Sequence, residues 1–510
     1  MNNASFFKFF VFAVFSSILF SCSNTANVGT NILPDPEIQA GTAKVSGKII
    51  NFSLEEGKAK PVVYLRVSCP VSVDNYIIET ELDENGNFFL EVPIDCSTVL
   101  SMISITGYGG VAIELSSRED IKVELKLDNS NRFTLENATG QSLLTNKDKE
   151  NYSDAIFRYS ALYEQPNVLQ VCEMTPEEYV NYEMNVMQTR VHFAMKDVKF
   201  SDMGRKIILN DLQLMHLSGV LLSYKSRVEM ICQNKENWSP QEPDIQYYSF
   251  LKSFDLNNPK YLYNLFFPNV VQSLLSIKVL NIPAISEIPV EEWLNSVKAT
   301  LSDLVGFDSG QFYAILAANA YFKQFKEEAN PLSEKQISNI KEYFKDEKEG
   351  IAKILFRKNE EIIALSTHKE PLVVNETPFV SKEKLMDAII SKYKGKNVIV
   401  DFWATWCSPC LDAMKKYAAI KGEIQNKNVV FVYITNASSP QELWKQKIKS
   451  IGGEHYYLNA AEWEYLMDNF GFEGIPSYVI FDTKGKIHNK FTAYPGNAEL
   501  LAMIDKLLTK

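Results

Sequence analysis

Positive charge is in deficit in this 510-residue chain: 52 Lys and Arg stand against 63 Asp and Glu, a formal net charge of −11. That balance argues against nucleic acid as a partner, because such binding rests on neutralising phosphates with basic side chains. Past the first two dozen residues no run is long and apolar enough to cross a bilayer, which takes about 20 residues as a helix. Histidine is scarce; His455 and His488, the only two among residues 375–510, read as surface residues. Arginine ends at Arg357. Of seven cysteines, none forms a second pair at zinc-ligand spacing, which argues against a metal site. At 46% hydrophobic and 23% charged, the remainder is ordinary globular material for roughly three domains.

What is present is Trp403-Ala404-Thr405-Trp406-Cys407-Ser408-Pro409-Cys410, two thiols placed where a strand turns into a helix. The strand, 397–402, is apolar and β-branched apart from Asp401. The helix continues through Leu411, Met414, Tyr417 and Ala418 at three-to-four spacing. Unpaired N–H groups and the positive end of the macrodipole favour a thiolate at a helix start. Cys407 is therefore expected to be the exposed thiol, ionising below the free value of about 8.5, and Cys410 the buried one. Pro409 suits the first turn, where its missing N–H costs nothing.

Behind Cys410 come a strand at 428–434 and a helix at about 440–450 carrying Trp444. Gly474-Ile475-Pro476-Ser477 then runs into a further strand, and a terminal helix covers about 497–508. On Trp-Cys-x-x-Cys and Gly-Ile-Pro, some 65 residues apart, residues 377–510 resemble a thioredoxin-fold protein of the TlpA/ResA type. The resemblance implies an α/β thioredoxin fold and thiol-disulfide exchange through Cys407–Cys410 itself, with no metal and no other cofactor. It also implies a cis Ile475–Pro476 peptide that docks the substrate backbone by strand addition, with Trp403 and Trp406 shielding the site. Many relatives carry a glutamate three residues after the second cysteine. Here that residue is Ala413, and Asp401 matches the buried aspartate of thioredoxin instead. Desolvated behind the disulfide, Asp401 would have a raised pKa and could accept the proton of Cys410, whereas Asp412 should face solvent. Ser408-Pro409 lacks the histidine of strongly oxidising relatives. This points to the reducing side, nearer thioredoxin's about −270 mV than DsbA's about −120 mV.

At the other end, Lys8 precedes an apolar run at 9–20, too short to span and read as a signal peptide over 1–21. Leu19-Phe20-Ser21-Cys22 resembles a bacterial lipobox, which implies a lipidated Cys22 and a tether over 22–39. The expectation is a protein of the cell envelope, lipid-anchored to a bacterial membrane and facing the periplasm or the cell surface. The TlpA/ResA resemblance further implies disulfide-bonded envelope proteins and apocytochrome c thiols as candidate substrates, and a membrane thiol carrier of the DsbD/CcdA type as the candidate electron donor.

From 40 to 140 the pattern alternates with period two. Short strands are expected at 43–52, 62–67, 76–82, 88–92, 102–106, 111–115, 121–127 and 133–135, with a hairpin turn at Asp83-Glu84-Asn85-Gly86-Asn87. This reads as a β-sandwich and resembles the β domain that precedes thioredoxin folds in lipoproteins of Bacteroides-like bacteria. Residues 141–374 read as mainly helical, with helices near 203–230, 290–305, 310–325 and 333–344 and one capped by Thr175-Pro176. Residues 369–378 read as a linker into the catalytic domain, 375–510. Either Cys69–Cys96 or Cys172–Cys232 could be bridged; spacing does not decide.

Two other classes compete. A peroxiredoxin needs a threonine three residues before its cysteine and an arginine beside the thiolate; Thr405 lies two before Cys407, and no arginine follows Arg357. A surface or periplasmic binding lipoprotein, with redox activity secondary, is the alternative to an exported oxidoreductase.

Overall fold

The computed structural model describes residues 35–508 apart from 53–59, 73–74, 107–108, 128–132, 141, 162–167, 237, 329, 347–349, 368–370, 419 and 426. The expected signal peptide, Cys22 and most of the tether lie outside the described residues. Eight strands come first: β1 (Ile38–Ile50), β2 (Val62–Ser68), β3 (Asn75–Glu81), β4 (Asn87–Cys96), β5 (Thr98–Ile105), β6 (Gly110–Ser116), β7 (Ile121–Leu127) and β8 (Phe133–Ala138). They form two four-stranded sheets, ordered β4-β1-β7-β8 and β3-β2-β5-β6. The period-two pattern drives this: along β4, Phe88, Leu90 and Val92 are buried while Asn87, Phe89 and Glu91 face water. Gly47 lies opposite Phe88, and a Cβ there would come within 2.0 Å of the Phe88 ring, so any larger residue would have to displace that buried ring. Cys69 and Cys96 are buried thiols that are not joined to each other.

The helices that follow share one hydrophobic core with both sheets. Polar contacts fix the join. From the Ile351–Thr367 helix, Arg357 donates to Asp95 Oδ1 at 2.8 Å and to the Gly41 carbonyl at 3.2 Å. Asn319 Nδ2 donates to the Val71 carbonyl at 3.0 Å. The 175–176 cap opens the Pro176–Met195 helix with a full capping box to Glu178. Tyr247, Tyr248 and Phe250 are core.

One long helix over 203–230 does not form. The chain instead runs through Asp202–His216, a π turn at Leu217–Leu221, and Tyr224–Cys232. Two serines explain the break, since Ser218 Oγ donates to the Leu214 carbonyl at 2.9 Å and Ser223 Oγ to the Ser218 carbonyl at 2.7 Å, competing with the helix ladder. Cys232 is bonded to Cys172, with Cα atoms 5.8 Å apart.

The last sheet has six strands: β9 (Leu372–Val374), β10 (Asn397–Phe402), β11 (Val429–Asn436), β12 (Gly453–Leu458), β13 (Ser477–Phe481) and β14 (Ile487–Thr492), in the order β14-β13-β10-β11-β12-β9. β10, β11, β12 and β9 run parallel, and β13 pairs antiparallel with both β10 and β14. Helices Ser408–Ala418, Gln441–Ile451 and Asn497–Leu508 pack on one face, and Lys382–Ser391 and Ala460–Phe470 on the other. β9 corrects the expectation of a bare linker over 369–378. Three residues carry no readable period, and their strand character comes from pairing with β12. Among the described residues no helix is long and apolar enough to cross a membrane.

Candidate active site

β10 delivers the chain to the cysteines, and the loop after β11 holds it there. Trp403 N–H donates to the Ile434 carbonyl at 3.0 Å, extending the parallel pairing by a residue. Thr405 N–H donates to Ser439 Oγ and Trp406 Nε1 to Ser438 Oγ, each at 3.0 Å. The Ser408–Ala418 helix then starts, with Leu411 N–H donating to the Cys407 carbonyl at 3.2 Å. Cys407 and Cys410 are joined as a disulfide with Cα atoms 5.3 Å apart, and Cys410 N–H donates to Cys407 Sγ at 3.2 Å. The sulfur that would carry the thiolate thus faces a helix-start donor, which favours negative charge. The Ile475–Pro476 peptide is cis. Because β10 pairs Phe402 with Ser477, this peptide sits at the end of β10 from which the cysteine turn departs.

Alternation along β10 sends Val398, Val400 and Phe402 to one face and Ile399, Asp401 and Trp403 to the other, beneath the cysteine helix. Asp401 is wholly buried between Tyr433 on β11 and Tyr478 on β13. Burial pushes its carboxyl up to about 7, against the Tyr417 hydroxyl, which donates to Oδ2 at 2.8 Å, and the positive charge of Lys421. Oδ1 accepts no hydrogen bond among the described residues. Lys421 is itself buried. Its ammonium lies over the rings of Tyr433, Phe431 and Tyr417 at 5.2, 5.4 and 5.9 Å and donates to the Ile451 carbonyl at 3.1 Å. Cation–π attraction and this hydrogen bond hold the charge out of water, where a bare ammonium would be costly.

Three expectations are corrected here. Cys407 is only 3% exposed, because the disulfide draws it into the core cluster with Cys410, Ala404 and Trp403; it is no exposed group in the oxidised state. Trp403 is wholly buried, its ring edge-on to His455, so it packs the core and cannot shield or touch a substrate. Trp406, at 63% exposed, can. His455 is buried, not on the surface: it stacks on Tyr433 with centroids 4.8 Å apart, and Nε2–H donates to the Gly452 carbonyl at 2.9 Å. Burial holds its pKa down to about 3, so the ring is neutral. Ile475 is half-buried and Pro476 buried, while Asp412 is exposed and 3.8 Å from Lys415. Ala413 is buried and brings no acid to the site.

Tyr417 and Lys421 are site residues that sequence reasoning passed over. Cys410, Met414 and Tyr417 share one helix face at i, i+4 and i+7, a spacing that places Tyr417 on the cysteine side of the helix. Lys421 begins the next short helix, Lys421–Gln425, and no local pattern marks it.

Residues 395–487 match the Thioredoxin-like family. The chain is 26% identical over 103 residues to the thiol-disulfide oxidoreductase ResA of Geobacillus thermodenitrificans, an alignment covering 20% of this chain and 58% of that protein. It is 39% identical over 62 residues to the thioredoxin-like protein YneN of Bacillus subtilis, covering 12% and 34%. The crystal structure of the thioredoxin domain of a thiol-disulfide oxidoreductase from Bacteroides vulgatus aligns over 23% of this chain and 84% of its own, at 19% identity and a TM-score of 0.21. The chain spans little more than half the length of the ResA protein it matches. Residues 395–487 form a thioredoxin-like domain similar to the thiol-disulfide oxidoreductases of the ResA type.

Proposed function

We propose that the chain is an exported reductase of protein disulfides in the bacterial cell envelope, lipid-anchored through Cys22 and facing the periplasm or the cell surface. The observation that carries this reading is the Cys407–Cys410 pair at a helix start, on the face of β10 that holds a buried carboxyl poised near neutrality. In the reduced protein the Cys407 thiolate attacks one sulfur of a substrate disulfide. That S–S bond breaks, a mixed disulfide forms, and the departing substrate sulfur takes a proton. Cys410 then gives its proton to Asp401 and attacks Cys407 Sγ, releasing the second substrate thiolate and leaving the Cys407–Cys410 disulfide. Two electrons pass from the dithiol to the substrate, so a dithiol donor must restore the pair; a membrane thiol carrier of the DsbD/CcdA type fits that need. Trp406 and Ile475–Pro476 dock the substrate chain. No metal or other cofactor enters. The two four-stranded sheets form a β-sandwich domain over 40–140, followed by a helical domain over 141–374 and the catalytic domain over 375–510.

Insulin reduction driven by a dithiol tests this reading: the parent should turn over and Cys407→Ser should not. Cys410→Ser should accumulate mixed disulfides with envelope proteins, seen as bands removed by dithiothreitol. An inactive parent would favour the binding-lipoprotein reading, and trapping by Cys407→Ser alone would reverse the two thiol roles.

A further inference from the structure

Large apolar side chains stand out of the molecule at one corner of the helical region. Phe157, on the Asn146–Ala161 helix, is 77% exposed. Phe193, Met195 and Val198, at and just past the end of the Pro176–Met195 helix, are 51%, 54% and 89% exposed. Asp197 links the two segments that carry them. Its carboxylate accepts from Arg158 Nη2 at 2.9 Å and from the Tyr159 hydroxyl, fastening the end of the first helix against the turn that carries Val198. From the following helix, Arg205 donates to the Met195 carbonyl at 3.2 Å and the Phe200 carbonyl at 3.3 Å. The turn is thus firmly built, with Ala194 and Phe200 buried beneath it, and still presents its larger apolar groups to water.

Charge narrows the choice of what meets this corner. Arg158 is paired with Asp197, and Arg205 lies 3.8 Å from Asp202. Three exposed lysines, Lys196, Lys199 and Lys206, remain as a local positive surplus on a chain of net charge −11. Large apolar groups left exposed on neighbouring segments mark candidate contact surfaces. Lysine is depleted from protein–protein interfaces, whereas apolar tips interleaved with lysines suit a lipid headgroup layer: the tips enter the acyl boundary and the ammonium groups meet phosphates. We propose that this corner, Phe157, Phe193, Met195 and Val198 with the three lysines around them, docks on an anionic lipid bilayer, independently of any acyl group on Cys22.

The full chain carrying Cys22→Ala tests this against vesicles of phosphatidylcholine alone or mixed with phosphatidylglycerol, with the bound fraction read by sedimentation. Binding should favour the anionic vesicles and fall with added salt. Lys196→Gln with Lys199→Gln should lower partition onto anionic vesicles roughly thirtyfold, at about 1 kcal/mol for each basic residue and 1.4 kcal/mol per tenfold. Val198→Asp with Phe193→Ser should lower it as well. All four positions are exposed and outside the dithiol site, so insulin reduction should be unchanged, and a parental unfolding midpoint and helical circular-dichroism signal show that the helical region of each variant is folded. Equal binding to both vesicle types, or binding that neither pair of substitutions alters, would overturn the proposal. So would self-association abolished by Val198→Asp in a chain that binds no vesicles, which would assign the corner to a second copy.

Discussion

Tyr417 donates its hydroxyl to Asp401 Oδ2 at 2.8 Å, tying the helix that carries the cysteines to the strand beneath it. The bond stabilises the ionised carboxylate and Lys421 adds to it, while complete burial works the other way and prevails. A carboxyl left near 7 can hold or release a proton at neutral pH, the condition under which a general base is most effective. The same two residues also define what can be altered without touching the sulfurs.

Removing the Lys421 charge should raise the Asp401 pKa further. In Lys421→Met the pH at which resolution of the mixed disulfide reaches half its maximum should move up by about one unit, with Tyr417→Phe moving it in the same direction. Single-turnover reduction of a peptide disulfide across a pH series checks this. A variant that is merely less stable, with its inflection unmoved, would remove Lys421 from the proton chemistry.

Asp401 should also leave a mark on stability. Its carboxyl titrates at about 7 folded against 3.8 in its ordinary state, so between those values the folded protein holds more protons than the unfolded chain. Stability therefore falls as pH rises from about 4 to about 7, then levels off. Asp401→Asn removes the effect, and the variant should exceed the parent by roughly 4 kcal/mol above pH 7, at 1.36 kcal/mol per unit, with little difference below about pH 4. His216 and His455, both held down to about 3, act with the opposite sign, since their contribution is present above 6.5 and lost as pH falls toward 3. They are common to parent and variant and cancel in the difference. Urea unfolding at several pH values measures it; a difference independent of pH would make Asp401 a purely structural acid.

The second disulfide should act on stability and not on turnover. Cys172–Cys232 closes a loop of 60 residues, for which the chain-entropy estimate is about 4 kcal/mol. Replacing both cysteines by alanine should lower the unfolding midpoint and leave insulin reduction intact. Alkylation of the unreduced, unfolded chain should modify Cys69 and Cys96 and spare Cys172 and Cys232. Modification of all four would remove the bridge.

The parts of this protein legible in the sequence are those whose cause is local. Alternation located β4 to within a few residues, and the terminal helix at 497–508 has the bounds its spacing implies. Trp406 to Cys410 and Gly474 to Pro476 are short motifs whose spacing carries their meaning. What escaped was decided by distant neighbours. β9 is a strand because β12 lies beside it. His455 is buried because β12 sits beside β11, where Tyr433 offers its ring face. The choice of Cys172–Cys232 over Cys69–Cys96 was set by the packing of helices far apart in the chain. Lys421 is held at the site by the aromatic rings it covers and by the Ile451 carbonyl, all set by elements beyond its own helix.

The central claim is that Asp401 takes the proton of Cys410, a role Ala413 cannot play. Its most direct test is the single-turnover rate of mixed-disulfide resolution in the parent and in Asp401→Asn, followed by tryptophan fluorescence from about pH 5 to 9. The parent should show an inflection near pH 7, and the variant should lose it and resolve roughly 10²–10⁴-fold more slowly while its initial attack changes less. Resolution at the parental rate with the inflection retained would contradict the account and move the proton acceptor to solvent or to another residue.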